Sequence, residues 1–308
     1  MRRCLLVVLA CLLGVWDGAA AQSWPTKPIR AIIPFGGGSA TDVVPRIVLE
    51  QLAAQLGQPI VVENRGGAGG TIGSAVVAKA EPDGYTILVN SSAHTITPSI
   101  YPNLSYDVAR DFAAVAAVGN VPNVLIIAPS KGLKTVQDFV AAAKAKPGSF
   151  NFASVGIGSA VHEAVHIPFK GGAEALTEVI AGRVDYYFCP IATALPHIRD
   201  GRLLGLAVSS PMRASTMPDL TTTLEAGYPD SDYTFWIGVF VPSHTPAEII
   251  AKLHEELQKA LQAPAVKDKL AALGVEPMPL TTADFDAQVK QEIARYATFA
   301  KAAGLKPN

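Results

Sequence analysis

The chain of 308 residues carries balanced charge, 25 Lys+Arg against 26 Asp+Glu, so it has no basic surplus for a nucleic-acid backbone. A hydrophobic content of 49% excludes a disordered chain, and the length exceeds a usual single core, which predicts two lobes. A chain rich in Ala, Val, Leu and Gly and poor in aromatics suits alternating strands and helices.

Met1-Arg2-Arg3, the apolar run Cys4 to Val15 and Ala19-Ala20-Ala21 before Gln22 have the order of a cleaved secretory signal, residues 1–21. The run is too short for a transmembrane anchor. Cys4 and Cys11 leave with the signal, so no intramolecular disulfide is expected and Cys189 reads as a small buried hydrophobe.

The stretch Ile29 to Leu56 organises the rest of the chain. An apolar strand pattern from Ile29 to Phe35 runs into Gly36-Gly37-Gly38, Ser39 and Asp42, then an amphipathic helix pattern. Such a turn gathers backbone N–H groups at a helix start, an arrangement that binds anions. No Gly-Lys-Ser/Thr follows and the Gly-x-Gly-x-x-Gly spacing is missing, which disfavours nucleotides. Pro45 fits the first turn of a helix capped by Asp42, whereas a start at Ser39 would leave it inside the helix at a cost of about 3 kcal/mol. Asp42 is therefore read as the cap, serving structure alone or also orienting a ligand. Gly37 is expected to need its backbone freedom.

Further along, Ile60 to Glu63 reads as a strand before a second glycine-rich loop, Asn64 to Gly70, with Gly69 a candidate contact, and a helix from Thr71 to Ala80. Tyr85 to Val89 predicts a strand ending at Asn90-Ser91-Ser92, where Ser91 either caps a turn or meets the ligand. Val124 to Ala128 predicts a strand, and Thr135 caps a helix through Ala145. Phe152 to Ala160, with Ser154, Gly156, Gly158 and Ser159, echoes Phe35 to Ala40, as if each lobe presented one turn to a shared anion. Val165 to Phe169 predicts a strand leading to Lys170, a candidate countercharge, followed by a helix over Ala173 to Ala181. Val184 to Phe188 predicts a strand carrying Asp185. Leu203 to Val208 and Phe235 to Val241 complete the strands, the latter crossing back to the first lobe. Pro246 to Leu261, and Phe285, Val289, Ile293, Tyr296 and Phe299, form helical stripes read as core. No aromatic platform adjoins the glycine turns, which disfavours a neutral sugar.

Taken in order, Trp24-Pro25 to Lys27-Pro28, Pro34-Phe35 with Gly37-Gly38 and Asp42, Gly57-Gln58-Pro59, Val62 to Arg65, Gly67 to Gly70, Pro82 to Tyr85 and Gly156 to Ser159 with His162 resemble the solute receptors of tripartite tricarboxylate transporters, the Bug receptors. The resemblance implies an α/β, type II periplasmic-binding-protein fold with two lobes around a ligand cleft. Residues 22–122 and 237–308 would form the first lobe and 123–236 the second. It also implies a monomeric periplasmic receptor, without cofactor or catalysis, that hands a small carboxylated solute to membrane permease subunits. In that family a helix separates the histidine matching His162 from the following strand. Here only Glu163 and Ala164 intervene, so the second lobe is expected to be shortened by one helix, leaving apolar surface uncovered.

The same junction writes His162-Glu163-Ala164-Val165-His166, the spacing of a zinc metallopeptidase helix with Glu163 as general base. Glu178 or Asp185 would have to supply a third ligand. Pro168 and Gly171-Gly172 stop such a helix, so His162 and His166 are expected on different elements, with no metal bound.

Overall fold

The computed structural model describes residues 24–154, 164–169, 171–229, 231–233 and 235–302. Two five-stranded sheets define two α/β lobes. The first contains β1 (Ile29–Ile33), β2 (Ile60–Asn64), β3 (Thr86–Ser91), β4 (Phe112–Asn120) and β10 (Trp236–Pro242), in the order β2-β1-β3-β10-β4. The second contains β5 (Asn123–Ile127), β6 (Phe150–Ser154), β7 (Ala164–Pro168), β8 (Tyr186–Pro190) and β9 (Leu204–Val208), in the order β7-β6-β8-β5-β9.

The two orders match position for position, because β10 lies antiparallel between β3 and β4 as β5 pairs antiparallel with β8 and β9. Each sheet thus takes one strand from a chain crossing. Val121-Pro122 carries the chain out, and the segment before β10 brings it back, where the Val121 N–H donates to the Phe235 carbonyl at 2.6 Å.

In the first lobe α1 (Ala40–Leu56), α2 (Thr71–Ala78) and α3 (Ala93–Ile100) follow β1, β2 and β3. Val44, Val48 and Leu52 of α1 are fully buried and share a core with Leu253 and Leu257 of α7 (Ala247–Gln262), as their helical spacing requires. In the second lobe α4 (Val136–Ala145) begins as expected at Thr135, whose hydroxyl accepts from the Asp138 N–H at 3.0 Å while the Asp138 carboxylate accepts from the Thr135 N–H at 3.1 Å. The remaining helices are α5 (Gly172–Ile180), α6 (Ile191–Arg199), α8 (Pro264–Ala272) and α9 (Thr282–Ala302).

Four elements escaped the sequence patterns. β4 is an unbroken Ala/Val run with no alternation, α3 contains Pro98, α6 contains Pro196, and α8 begins at Pro264. The stripe on α9 divides: Phe285 and Val289 are buried, whereas Phe299 is half exposed.

The parallel neighbours β6 and β7 are joined by residues 155–163 alone, while the equivalent β1 and β2 are joined by residues 34–59. A parallel crossover normally takes a dozen residues or more, so this connection is short by about one helix. His162 and Glu163 lie in that segment, outside the described residues. Ala164, Val165 and His166 are extended in β7, where His166 is in register with Phe152, so the histidine pair does not share a helix. Val165 on this edge strand is exposed.

Deep in the first lobe, His94 of α3 is 1% exposed, its ring edge-on to Phe112 and tilted against Phe240. The Asn90 amide donates to its Nδ1 at 3.3 Å, which leaves the proton on Nε2. Burial pushes its pKa down to about 3. The unfolded chain takes up a proton near pH 6.5 that the folded chain refuses until about pH 3. Stability therefore falls as pH drops through that window, by at most about 1.4 kcal/mol per pH unit from this group. Chemical denaturation across the window should show His94→Gln with a shallower loss than the parent, and identical slopes would contradict a buried neutral imidazole.

Candidate functional site

A cavity of about 460 Å³ is walled by both lobes and by the returning segment. The first lobe contributes Phe35 after β1, Ser39, Ala40 and Thr41 at the start of α1, Gly69, and Ser91 at the end of β3. These are carboxyl ends of parallel strands and the adjoining helix starts, where open α/β sheets hold ligands.

Local structure at the start of α1 differs from expectation. Ser39, not Asp42, is the N-cap, with extended backbone angles, and its side chain makes no capping bond. Pro45 lies inside the helix, where its missing N–H forgoes a bond to the Thr41 carbonyl. Asp42 offsets that loss, because its carboxylate accepts from the Gly38 N–H at 2.9 Å, the Arg46 guanidinium at 2.8 Å and the Asn64 amide at 2.9 Å. Hydrogen bonds to a charged group contribute roughly 1.5–3 kcal/mol each, enough together to outweigh the proline. Asp42 is thus spent on fastening the turn and is not in the cavity wall.

Gly38 has φ +80, a left-handed conformation that costs an L-residue about 1–2 kcal/mol. Gly37 has no such need, since an added Cβ would meet only the Asp42 carboxylate at 3.8 Å. Neither Gly36, Gly37 nor Gly38 lines the cavity; the turn instead abuts the second lobe, with a Cβ on Gly171 falling 3.9 Å from the Gly36 Cα.

Two oxygens in the wall are buried and lack a hydrogen-bond partner among the described residues: Ser39 Oγ, on a residue 8% exposed, and Asn123 Oδ1, on one 6% exposed. Beside Ser39 Oγ, the first amides of α1 have no carbonyl a turn back to bond, while the Asp42 and Val43 N–H groups donate to the Ser39 carbonyl at 2.9 and 2.8 Å. Gly172, at the start of α5, brings a second helix N-terminus to the wall from the other lobe. Donors and positive helix ends therefore converge from both lobes on one part of the cavity.

The second lobe also supplies Ser154, Phe152 and the β8 side chains Tyr186, Tyr187 and Phe188. Asp185, next in sequence, faces elsewhere, ion-paired to Lys131 and accepting from the Asn151 N–H at 2.8 Å. Glu178 pairs with Arg183. Both candidate third zinc ligands are thus engaged, and the described residues contain no cluster of three metal-ligating side chains. Cys189 is buried, and burial pushes its thiol far up, as for an inert hydrophobe. Gly156, Gly158, Ser159 and Lys170 lie outside the described residues.

Several wall residues went unpredicted. Ile96, Thr97 and Ile100 come from the unmarked α3, and Tyr296 from a stripe read as core. Tyr233 and Phe235 lie in the returning segment, and the Tyr233 hydroxyl meets Ser92 Oγ at 2.6 Å. Burial pushes the phenols of Tyr186 and Tyr233 up to about 12 and that of Tyr187 well above 10, so all three stay neutral. The expectation of no aromatic platform is overturned: rings far apart in sequence meet once the sheets form.

Two sheets of matching strand order around a cleft, with helix N-termini at its wall, define a two-lobed receptor of the periplasmic-binding-protein class. The sequence profile described as "Tripartite tricarboxylate transporter family receptor" matches residues 44–305. The chain is 35% identical to Protein BugT of Bordetella pertussis, over 98% of both chains. It superposes on periplasmic binding protein BugD with a TM-score of 0.87 at 32% identity, covering 92% of this chain and 100% of that one. MatC from Rhodopseudomonas palustris with bound malate gives 0.84 at 31% identity, covering 90% and 100%. A further R. palustris protein, solved with adipate, gives 0.88 at 30% identity, covering 92% and 100%. The chain belongs to the tripartite tricarboxylate transporter receptor family, whose members are solute-binding receptors.

Gly38→Ala should cost about 1–2 kcal/mol of stability and Gly37→Ala less than about 0.5, compared by urea denaturation. A reversed order would refute the assignment of the strained position.

Proposed function

We propose that the protein is a periplasmic receptor, exported by a cleaved signal over residues 1–21, that binds one carboxylate at the start of α1 and presents it to its permease subunits. The reading rests on Ser39, whose unpartnered buried hydroxyl lies beside the first-turn amides of α1 and opposite the α5 N-terminus. Lobes of residues 22–122 with 237–308, and of 123–236, would close on the ligand as a monomer. Micromolar affinity needs about 8 kcal/mol, while one helix terminus contributes at most about 2, so both lobes must engage. That malate and adipate occupy relatives supports a carboxylate as the ligand class here. No step of this function makes or breaks a covalent bond.

A thermal-shift screen of mono-, di- and tricarboxylates against neutral sugars tests it. A bound carboxylate at a hundred times its dissociation constant should add about 2.7 kcal/mol of stability; shifts by sugars alone would sink the proposal. Ser39→Ala should weaken carboxylate binding about tenfold or more, the loss of a charge-assisted hydrogen bond. Because Ser39 makes no capping bond, the ligand-free variant should keep its stability to within about 0.5 kcal/mol, not lose the usual capping contribution of about 1.

A further inference from the structure

We infer that the solute is an aromatic carboxylate, an inference that rests on the carboxylate reading and narrows it. Ser39, Ala40 and Thr41 take up one part of the wall, close to the start of α5, where a Cβ on Gly38 would meet that of Ala173 at 4.0 Å, and the cavity extends well beyond them. Nine of its described lining side chains are aromatic, in a chain whose aromatic content is 7%. Phe152 and Tyr186 stand nearly parallel, their planes 24° apart and centroids separated by 5.6 Å, on the second-lobe side. Tyr101 and Tyr296 belong to the first lobe, with Tyr233 in the crossing segment between. Ile96 and Ile100 of α3 add aliphatic surface.

Among the described lining residues there is no Asp, Glu, Lys, Arg or His. The hydroxyls of Thr97, Thr193, Ser231 and the neutral tyrosines offer dipoles to a polar ring substituent. A flat ring finds offset and edge-on partners for its apolar faces in these walls. It also loses no chain rotamers on binding, unlike an alkyl chain of the same area.

Isothermal titration at neutral pH tests the inference on the protein freed of co-purifying solute by unfolding and refolding. The probes are 2-naphthoate and cinnamate, malate, adipate and citrate, octanoate, and the uncharged 2-naphthamide. At least one aromatic acid should bind tenfold or more tighter than malate, adipate, citrate and octanoate, and 2-naphthamide should bind at least tenfold more weakly than 2-naphthoate. Phe188→Ala, at a partly exposed wall position, should weaken the aromatic acid severalfold and leave the thermal midpoint of the free protein nearly unchanged. Malate, adipate or citrate binding as tightly as the aromatic acids would overturn the inference and leave the carboxylate receptor standing. Octanoate at parity would overturn the requirement for a ring. The amide binding as well as the acid, or no carboxylate binding at all, would overturn the carboxylate reading and the inference together.

Discussion

β10 bonds on both edges, to β3 and to β4, so the first sheet is incomplete until the chain has built the second lobe and returned. β5 stands in the same relation to β8 and β9, so this pair of crossings ties the two lobes together. Both crossings meet at one point, where Val121 bonds Phe235 and the Ser92 N–H donates to the Trp236 carbonyl at 3.0 Å. The lobes are thereby joined at the base of the cleft by short extended segments. Tyr233 and Phe235 belong to that junction and to the cavity wall at once, so whatever fills the cavity touches the segment that joins the lobes.

Charge and dipole are divided in this architecture. Asp42 and Asp185 are used where a carboxylate can be paired, one clamping the first glycine turn, the other holding the Asn151 amide and Lys131. The described cavity wall holds amides, hydroxyls and helix ends instead. Fixed dipoles attract an anion without first having to shed a strongly held hydration shell, whereas a buried lysine or arginine would have to be desolvated before it could act. An aspartate in the wall would repel the same ligand, so the engagement of Asp42 with Gly38, Arg46 and Asn64 also protects the site.

Much of the fold was legible because its signals are local. Thr135 with Asp138 marked a helix start, and the glycine turn after Ile33 marked a strand-to-helix junction. The error at Asp42 came from weighing Pro45 alone. A proline inside a helix is costly, and the bonds that offset it come from Arg46, one turn on, and Asn64 on the neighbouring strand, which no local pattern displays. β4 was invisible for the opposite reason. A strand covered on both faces has no alternation, and its Ala/Val run fits a helix equally well.

The site was less legible than the fold, and α9 shows why. Phe285, Val289, Ile293 and Tyr296 recur at helical spacing and do share a face, as the periodicity requires. Periodicity specifies the face and not the neighbour. Phe285 and Val289 meet the core behind β10, while Tyr296, further along the same stripe, has passed the end of the sheet and reaches the cavity. Glu292 fixes that offset by accepting from the Trp236 indole at 2.9 Å and the Thr95 hydroxyl at 3.0 Å, which locks α9 against both β10 and α3. The aromatic wall is therefore a product of where elements stop relative to one another. That quantity is set by long-range polar contacts such as Glu292 to Trp236, and a one-dimensional pattern carries no trace of it.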